Sequence, residues 1–380
     1  MGINTIWLMP VQPIGKVNKK GAYGSPYSIS DYYKVNPDFG TVADFKRLVD
    51  SVHAKGMYLI IDEVANHTAW DNGWIYTNPD WYTHDSAGKI IPPNPDWTDV
   101  ADLNYDNSQL RAEMIKSMKY WIDSFNIDGY RCDAASMVPD DFWKSCIDTL
   151  RKMRPLLMLA ESDDPKMYKD GFDITYGWNM YHDLIHIWKG DSLTSSLFRI
   201  LASDEVNYPA EYHAIRFITD HDENSWDDVP QVKFLNEDGA KAAFVTMVTL
   251  PGVPFIYQGQ EVGYPQKINL FEKYNIDWNE NPEVRSFYTT MLTLYDSSEI
   301  LQNGRLEKIN SGSEDVLMFN RILEHDSMTV MVNVRNHPVN IVLPGVLAGK
   351  SYCSVLKNKA VKHSKSFQLG PYEYEILQFQ

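Results

Sequence analysis

Apolar positions along the chain follow two alternating rhythms. Short β-prone runs at 4–8, 57–61, 128–132, 156–160, 172–175, 213–218 and 253–257 have the length of buried strands. Between them, apolar residues recur at helical spacing. Residues 42–55 place Phe45, Leu48, Val49 and Val52 on one stripe, and 109–125 do the same with Leu110, Met114, Met118 and Trp121. Further helices are expected over 139–153, with Pro139 in the first turn, and over 178–201, 238–248 and 283–298. Apolar strands alternating with helices predict a parallel sheet covered by helices. The seven runs, with long loops after their C-terminal ends, fall one short of an eight-stranded (β/α) barrel. Residues 66–108 interrupt the alternation with a loop-like stretch dense in Asn, Asp, Pro and Trp, long enough to be a functional loop or a small subdomain. From Arg305 the helices stop. Short runs at 316–320, 329–334, 340–342, 352–354 and 374–379, separated by Gly, Pro and Asn, predict a separate antiparallel β-sandwich domain.

Composition narrows the function. Of 380 residues, 44% are hydrophobic and 23% charged, which excludes disorder over most of the length. The net charge of −16 repels phosphate backbones and anionic lipid, so neither nucleic acid nor a membrane surface is an expected partner. No run reaches the ~18 apolar residues of a membrane span. Cys132, Cys146 and Cys353 form no disulfide framework and have no metal-ligand spacing, so no metal site is expected from them. The apolar start lacks a basic segment and is cut by Pro10 and Pro13, so it does not read as a signal peptide, and localisation stays unassigned. The 11 Trp and 23 Tyr suit stacking on sugars as well as filling a large core.

In a parallel barrel, chemistry sits at the C-terminal ends of the strands. Here those ends carry Asp62, Asn66 and His67; then Arg131 and Asp133; then Glu161; then Asp220, His221 and Asp222. A single Asp after a strand reads as a helix N-cap or a surface charge. Four such ends together call for a shared task. Glycoside hydrolysis uses one carboxylate to attack the anomeric carbon and a second, kept protonated, to assist the leaving oxygen and then activate water. A neighbouring Arg keeps the first ionised, and a less solvated setting keeps the second protonated.

These motifs resemble the α-amylase family of glycoside hydrolases (family 13). Asp62-Glu-Val-Ala-Asn66-His67 is similar to its first signature, Gly129-Tyr-Arg131-Cys-Asp133-Ala-Ala to the second, and Phe217-Ile-Thr-Asp220-His221-Asp222 to the fourth. Glu161 stands in place of the third. Val100-Ala-Asp102-Leu103-Asn104 resembles a further family segment, and Tyr27-Ser-Ile-Ser-Asp31-Tyr32-Tyr33 the stretch whose first Tyr stacks on the sugar at the cleavage site. The resemblance implies a (β/α)8-type TIM barrel over 1–66 and 109–304, a small inserted B domain over 67–108, and an all-β C-terminal domain over 305–380. It implies Asp133 as nucleophile, Glu161 as general acid/base and Asp222 as the carboxylate that binds and distorts the sugar. Arg131 would orient Asp133, His67 and His221 would hold sugar hydroxyls, and Tyr27 would be the stacking platform. Asp62 and Asn66 would shape the loop. Trp70, Trp74, Trp81 and Trp97 read as core of the insertion, and Cys132 as packing on the face opposite Asp133.

The implied reaction is retaining hydrolysis of α-1,4 bonds in starch, maltodextrins or related maltooligosaccharides, with no cofactor required. Transfer to a sugar acceptor and an inactive, truncated glucan-binding relative are the alternatives. A nucleotide binder would need a glycine-rich loop that Gly21-Ala-Tyr-Gly24 does not supply. Three departures stand out. Asp220 replaces the usual Asn, adding a carboxylate. Ser136-Met137 replaces a Lys-His pair, which argues against endo-action on long starch and against a structural calcium held through Asn66 and loop carbonyls. Residues 1–10 resemble the family's second strand, so the first βα unit is expected to be missing.

Overall fold

The first apolar run forms a strand, β1 (Thr5–Leu8), in the computed structural model, which describes residues 1–210, 212–345 and 347–379. Residues 4–176 and 269–274 pack as one unit, and residues 1–3, 177–268 and 275–380 as a second. In the first unit, α1 (Val42–His53) opens on a capping box. The Thr41 side chain accepts the Asp44 N–H, and the Asp44 carboxylate accepts that of Thr41. The helix buries Phe45, Val49 and Val52, whereas Leu48, expected on the same stripe, flanks it at 42% exposure. Next comes β2 (Tyr58–Glu63), parallel to β1 with Ile6 opposite Leu59.

The stretch after β2 folds into an antiparallel pair, β3 (His67–Ala69) and β4 (Val100–Asp102), with a short helix α2 (Gly73–Thr77) between them. Trp81 is buried there, and Trp74 lies between Tyr32, stacked at 4.9 Å, and Trp81, edge-on at 5.3 Å. Trp81 packs in the core and Trp74 against it, in keeping with their reading as core of the insertion. Helix α3 (Ser108–Phe125) starts at Asn107, whose side chain accepts two backbone N–H groups, and stops at a left-handed Asn126. It leads to β5 (Gly129–Cys132), α4 (Asp140–Leu150) and β6 (Leu157–Ala160). The four strands form one parallel sheet in the order β1-β2-β5-β6. A short α5 (Lys166–Lys169) follows, and Ile174, just before β7 (Thr175–Tyr176), bridges in parallel to Leu159. Residues 269–274 return to this unit. The Phe271 carbonyl accepts the Tyr23 N–H at 3.0 Å, and Glu272 accepts that of Ala22 at 3.0 Å.

Gly129 is required at the start of β5. Its φ is +153°, and a Cβ there would lie 1.9 Å from the Leu157 carbonyl oxygen of the neighbouring strand. Gly129→Ala is therefore expected to cost about 3 kcal/mol, the upper end for forced overpacking, read as a lowered urea midpoint.

In the second unit, the helix expected over 178–201 is two helices. Gly190, at φ 85°, caps α6 (Trp178–Lys189) in a left-handed turn, and α7 (Ser195–Asn207) begins afresh. Strands β8 (Ala214–Arg216) and β9 (Val253–Pro254) pair in parallel. Between them run α8 (Pro230–Lys233) and α9 (Glu237–Thr249), and after them α10 (Pro282–Asp296) and α11 (Glu299–Asn303). The C-terminal strands are β10 (Arg305–Lys308), β11 (Val316–Leu323), β12 (Asp326–Asn333), β13 (Val339–Val342), β14 (Ser351–Ser354), β15 (Lys359–Lys362), β16 (Ser366–Leu369) and β17 (Tyr374–Phe379). Six form an antiparallel sheet in the order β10-β11-β12-β17-β14-β15, and β13 pairs with β16. Val316, Met331, Ile341 and Leu369 join the two sheets in one core. Strands β10, β15 and β16 were not expected: they are mostly exposed and polar, and pairing with a neighbour, not an apolar alternation, orders them. Among the described residues no helix is long and apolar enough to cross a membrane.

Candidate active site

Strand register assembles the charged cluster of the first unit. Asp62 on β2 lies opposite Arg131 on β5. The ladder runs one residue past the strand ends, where the Asp133 N–H donates to the Glu63 carbonyl at 2.9 Å and the Glu161 N–H to the Cys132 carbonyl at 3.0 Å. Asp133 and Glu161 therefore sit side by side at the ends of β5 and β6. Alternation along the strand puts Arg131 and Asp133 on one face and Cys132 on the other.

Arg131 is 0% exposed and is the hub of the cluster. Its Nη1 donates to Asp62 Oδ1 at 2.9 Å and to Asp133 Oδ1 at 2.8 Å. Its Nη2 lies 2.8 Å from Glu161 Oε1, an ion pair whose alignment falls short of a directed hydrogen bond. The rings of Trp7, Tyr27 and Tyr176 surround the guanidinium with centroids 5.1, 5.6 and 5.9 Å away. Burial works against the charge, but Asp62 and then Glu161 outweigh it and hold Arg131 well above its ordinary pKa.

Three carboxylates share this one cation, so their settings differ. Asp62 is fully buried. Burial pushes its carboxyl up, while Arg131 and then Tyr27 pull it down. The Tyr27 hydroxyl donates to Asp62 Oδ2 at 2.9 Å, and the Trp7 indole N–H donates to the same oxygen at 3.3 Å. Glu161 Oε2 accepts the Ala134 N–H at 2.6 Å, a bond made available because Ala134 adopts the left-handed conformation at φ 42°. His67 is buried beside Asn66, with Nδ1 3.2 Å from the Asn66 amide. Burial pulls it down to about 4, against the raising influence of Asp99 and a hydrogen bond to the Tyr27 backbone, so it is neutral at pH 7. The Tyr32 hydroxyl lies 2.6 and 2.9 Å from the Val64 and His67 carbonyls and fixes the turn between β2 and β3.

Tyr27, Arg131, Asp133 and Glu161 thus converge, with His67 tied to the Tyr27 backbone. Asp62, for which the resemblance implied only a loop-shaping role, is the buried counter-ion that ties Arg131 to Tyr27. Trp7 and Tyr176 carried no signal in the sequence beyond being aromatic near strand ends. Tyr27→Phe keeps the ring but removes a hydroxyl from a buried carboxylate. It is expected to cost about 1.5–3 kcal/mol, measured by chemical denaturation at pH 7.

His221 and Asp222 belong to the second unit. Asp220 is buried, and its Oδ1 accepts the Glu223 N–H at 2.8 Å. His221 is buried with Nε2 3.4 Å from Asp222 Oδ2. Residues Glu223–Asp227 form a wide π-helical turn. It brings the Trp226 indole N–H to 3.2 Å from Asp222 Oδ1. The turn is clamped by Lys233, itself buried, which pairs with Glu223 at 2.5 Å and Asp227 at 2.9 Å. Lys233 also donates to the Tyr181 hydroxyl, which in turn donates to Glu223 at 2.7 Å.

Among the described residues no three His, Cys, Asp or Glu side chains gather in a way that could hold a metal. The Asn66 carbonyl accepts the Leu103 N–H at 3.2 Å, and the Lys20 ammonium lies 3.0 Å from Asp99.

Comparison with known proteins agrees with the motifs. The family described as alpha amylase, catalytic domain, matches residues 1–99 and 94–292. The chain is 25% identical over 374 residues to alpha-amylase MalA of Haloarcula japonica, a match that covers 93% of this chain but 53% of the relative, so the chain spans about half of that protein. Among solved structures, the noncanonic maltogenic alpha-amylase AmyB from Thermotoga neapolitana superposes with a TM-score of 0.90 at 30% identity, covering 100% of this chain and 90% of that one. An alpha-amylase from Lactobacillus plantarum gives 0.88 at 27% identity, covering 99% and 91%. A catalytic-domain match across most of the chain establishes that this chain belongs to the α-amylase family of glycoside hydrolases.

Proposed function

We propose that the chain is a retaining hydrolase of α-1,4-glucosidic bonds in starch, maltodextrins or related maltooligosaccharides. The observation that carries this reading is the sharing of one buried guanidinium by Asp133 and Glu161, side by side at adjacent strand ends. Asp133, held ionised by Arg131, attacks the anomeric carbon. Glu161 gives its proton to the leaving oxygen, so a glycosyl ester forms on Asp133 as the glucosidic bond breaks. Forming the ester consumes the Asp133 charge. The attraction of Arg131 then falls on Glu161 and Asp62 alone, which favours the carboxylate form of Glu161 at the moment that it must activate water. Water attacks the anomeric carbon, Glu161 takes the water's proton, and the bond from that carbon to Asp133 breaks with its electron pair returning to the Asp133 carboxylate. Asp222, His221 and His67 hold sugar hydroxyls, and the Tyr27 ring stacks on the sugar at the cleavage point.

The reaction runs on the chain's own side chains, without a resident metal. The Lys20 ammonium on Asp99, where a cation would otherwise be welcome, supports that part of the reading. We also propose that β1 corresponds to the family's second barrel strand, a reading supported by its parallel register on the strand that carries Asp62. Names among the relatives, cyclomaltodextrinase and maltogenic alpha-amylase, favour short glucans as substrates. The test is chromatography of maltoheptaose and soluble starch after incubation with the chain. Shorter maltooligosaccharides released in the α-anomeric form are expected. Products longer than maltoheptaose would reassign the chain to transfer, and no product from folded protein would overturn the reading.

A further inference from the structure

Trp226 is out of place for a large apolar residue. It is 60% exposed, on a turn otherwise held by buried ionic contacts. A π-helical turn adds a residue to the helical circuit and is costly unless its surroundings fix it. Here Lys233, from the next helix, grips the first and last residues of the turn, Glu223 and Asp227, and Tyr181 ties the same Glu223 to α6. What this clamp holds in place is a single side chain with two faculties. The polar edge of the Trp226 indole donates to Asp222. More than half of the residue's surface is exposed, which leaves ring surface that a ligand can cover.

We propose that Trp226 is a substrate-binding residue with a double role: its N–H orients the Asp222 carboxylate, and its ring is the platform for a glucosyl unit adjoining the one whose hydroxyls Asp222 holds. The chemistry fits an α-glucan. A pyranose presents an apolar C–H face to a flat ring and hydroxyls to a carboxylate at its edge, and the indole supplies the ring where the carboxylate is already fixed. Lys233 acts behind it as a positioning residue. The inference rests on the reading of Asp222 as a sugar-holding residue, and extends it from one sugar to its neighbour.

Two substitutions separate the roles. Trp226→Phe keeps a ring and removes the N–H; Trp226→Ala removes both. With maltotriose to maltoheptaose as substrates, Trp226→Phe is expected to lower kcat about tenfold, as for a lost hydrogen bond to a charged group, with KM within about twofold. Trp226→Ala is expected to raise KM about tenfold as well, from the loss of ring contact, with its thermal midpoint kept because the ring is exposed. A merely structural Trp226 would instead lower the midpoint and leave the split between kcat and KM unmoved in both variants, and that result would overturn the proposal. A binding titration keeps the test independent of catalysis. In Asp133→Asn, maltoheptaose should change the tryptophan fluorescence, and adding Trp226→Phe should remove most of that change. If the wild-type chain cleaves no glucan yet this signal appears and depends on Trp226, the hydrolase reading fails and the platform stands. If the wild type cleaves glucans and the signal is the same with and without Trp226, the platform fails alone.

Discussion

Asp133→Asn should cut the turnover of maltoheptaose by at least about 10⁴-fold, the scale on which removal of a covalent nucleophile registers. The substitution is nearly isosteric, so the pocket keeps its shape, but an amide does not attack an anomeric carbon. Arg131 would still pair with Asp62 and Glu161. One charge of the cluster is lost while the cation remains neutralised, so stability should change by no more than about 1 kcal/mol. Initial rates of product release measure the first quantity and urea denaturation the second. A residual rate within about tenfold of wild type would move the nucleophile's role away from Asp133. An unfolded variant would show that the pair is a structural necessity first.

A second large effect is expected from Glu63, the residue beside Asp62. Strand alternation turns it to the opposite face, into the layer beneath α3 and α4. It is fully buried, and among the described residues neither carboxyl oxygen has a hydrogen-bond partner. The nearby hydroxyls are committed elsewhere: Tyr32 faces the Val64 and His67 carbonyls, Tyr105 donates to Ala65 and Tyr130 to Met118. Burial, and after it the charge of Asp62, pushes the Glu63 carboxyl from its ordinary 4.5 up to about 8. The folded state therefore holds this proton more tightly than the unfolded chain does. The associated stability is fully present below pH 4.5 and is lost as the pH rises through 8. Over that window the loss is on the order of 4 kcal/mol at 1.36 kcal/mol per unit. Glu63→Gln removes the ionisation while keeping size and polarity. Its stability relative to wild type should grow steadily from pH 5 to pH 8.5, as seen in paired urea titrations. A constant difference across that range would mean that Glu63 finds a partner or a water when it ionises.

The strand–helix alternation was legible because the strands of the parallel sheet are mostly apolar and its helices have one apolar stripe, and both patterns survive in a single sequence. The limits of the reading have specific causes. Gly190 splits 178–201 because a glycine inside an apolar periodicity looks like a tolerated helix residue until its left-handed conformation is seen. The Lys-rich strand Lys359–Lys362 has no alternation of its own to announce it. In the site, Arg131, Asp133 and Glu161 could be picked out because their chemical types cluster at strand ends. Asp62 as counter-ion could not, because its meaning depends on the β2–β5 register, which places it against Arg131 and not against a loop. The clamp of Lys233 on Glu223 and Asp227 was hidden for a related reason: opposite charges six to ten residues apart are common on any surface, and only their burial makes them a device.

The return of residues 269–274 to the first unit bears on the order of events during synthesis. The parallel sheet and its helices lie within 4–176 and can condense as that segment leaves the ribosome. The backbone around Tyr23, four residues before Tyr27, waits for Phe271 and Glu272, which are made only after the whole of 177–268. A nascent chain thus makes the strands of the sheet early, and the backbone around Tyr23 gains its anchorage late, once residues 269–274 have emerged.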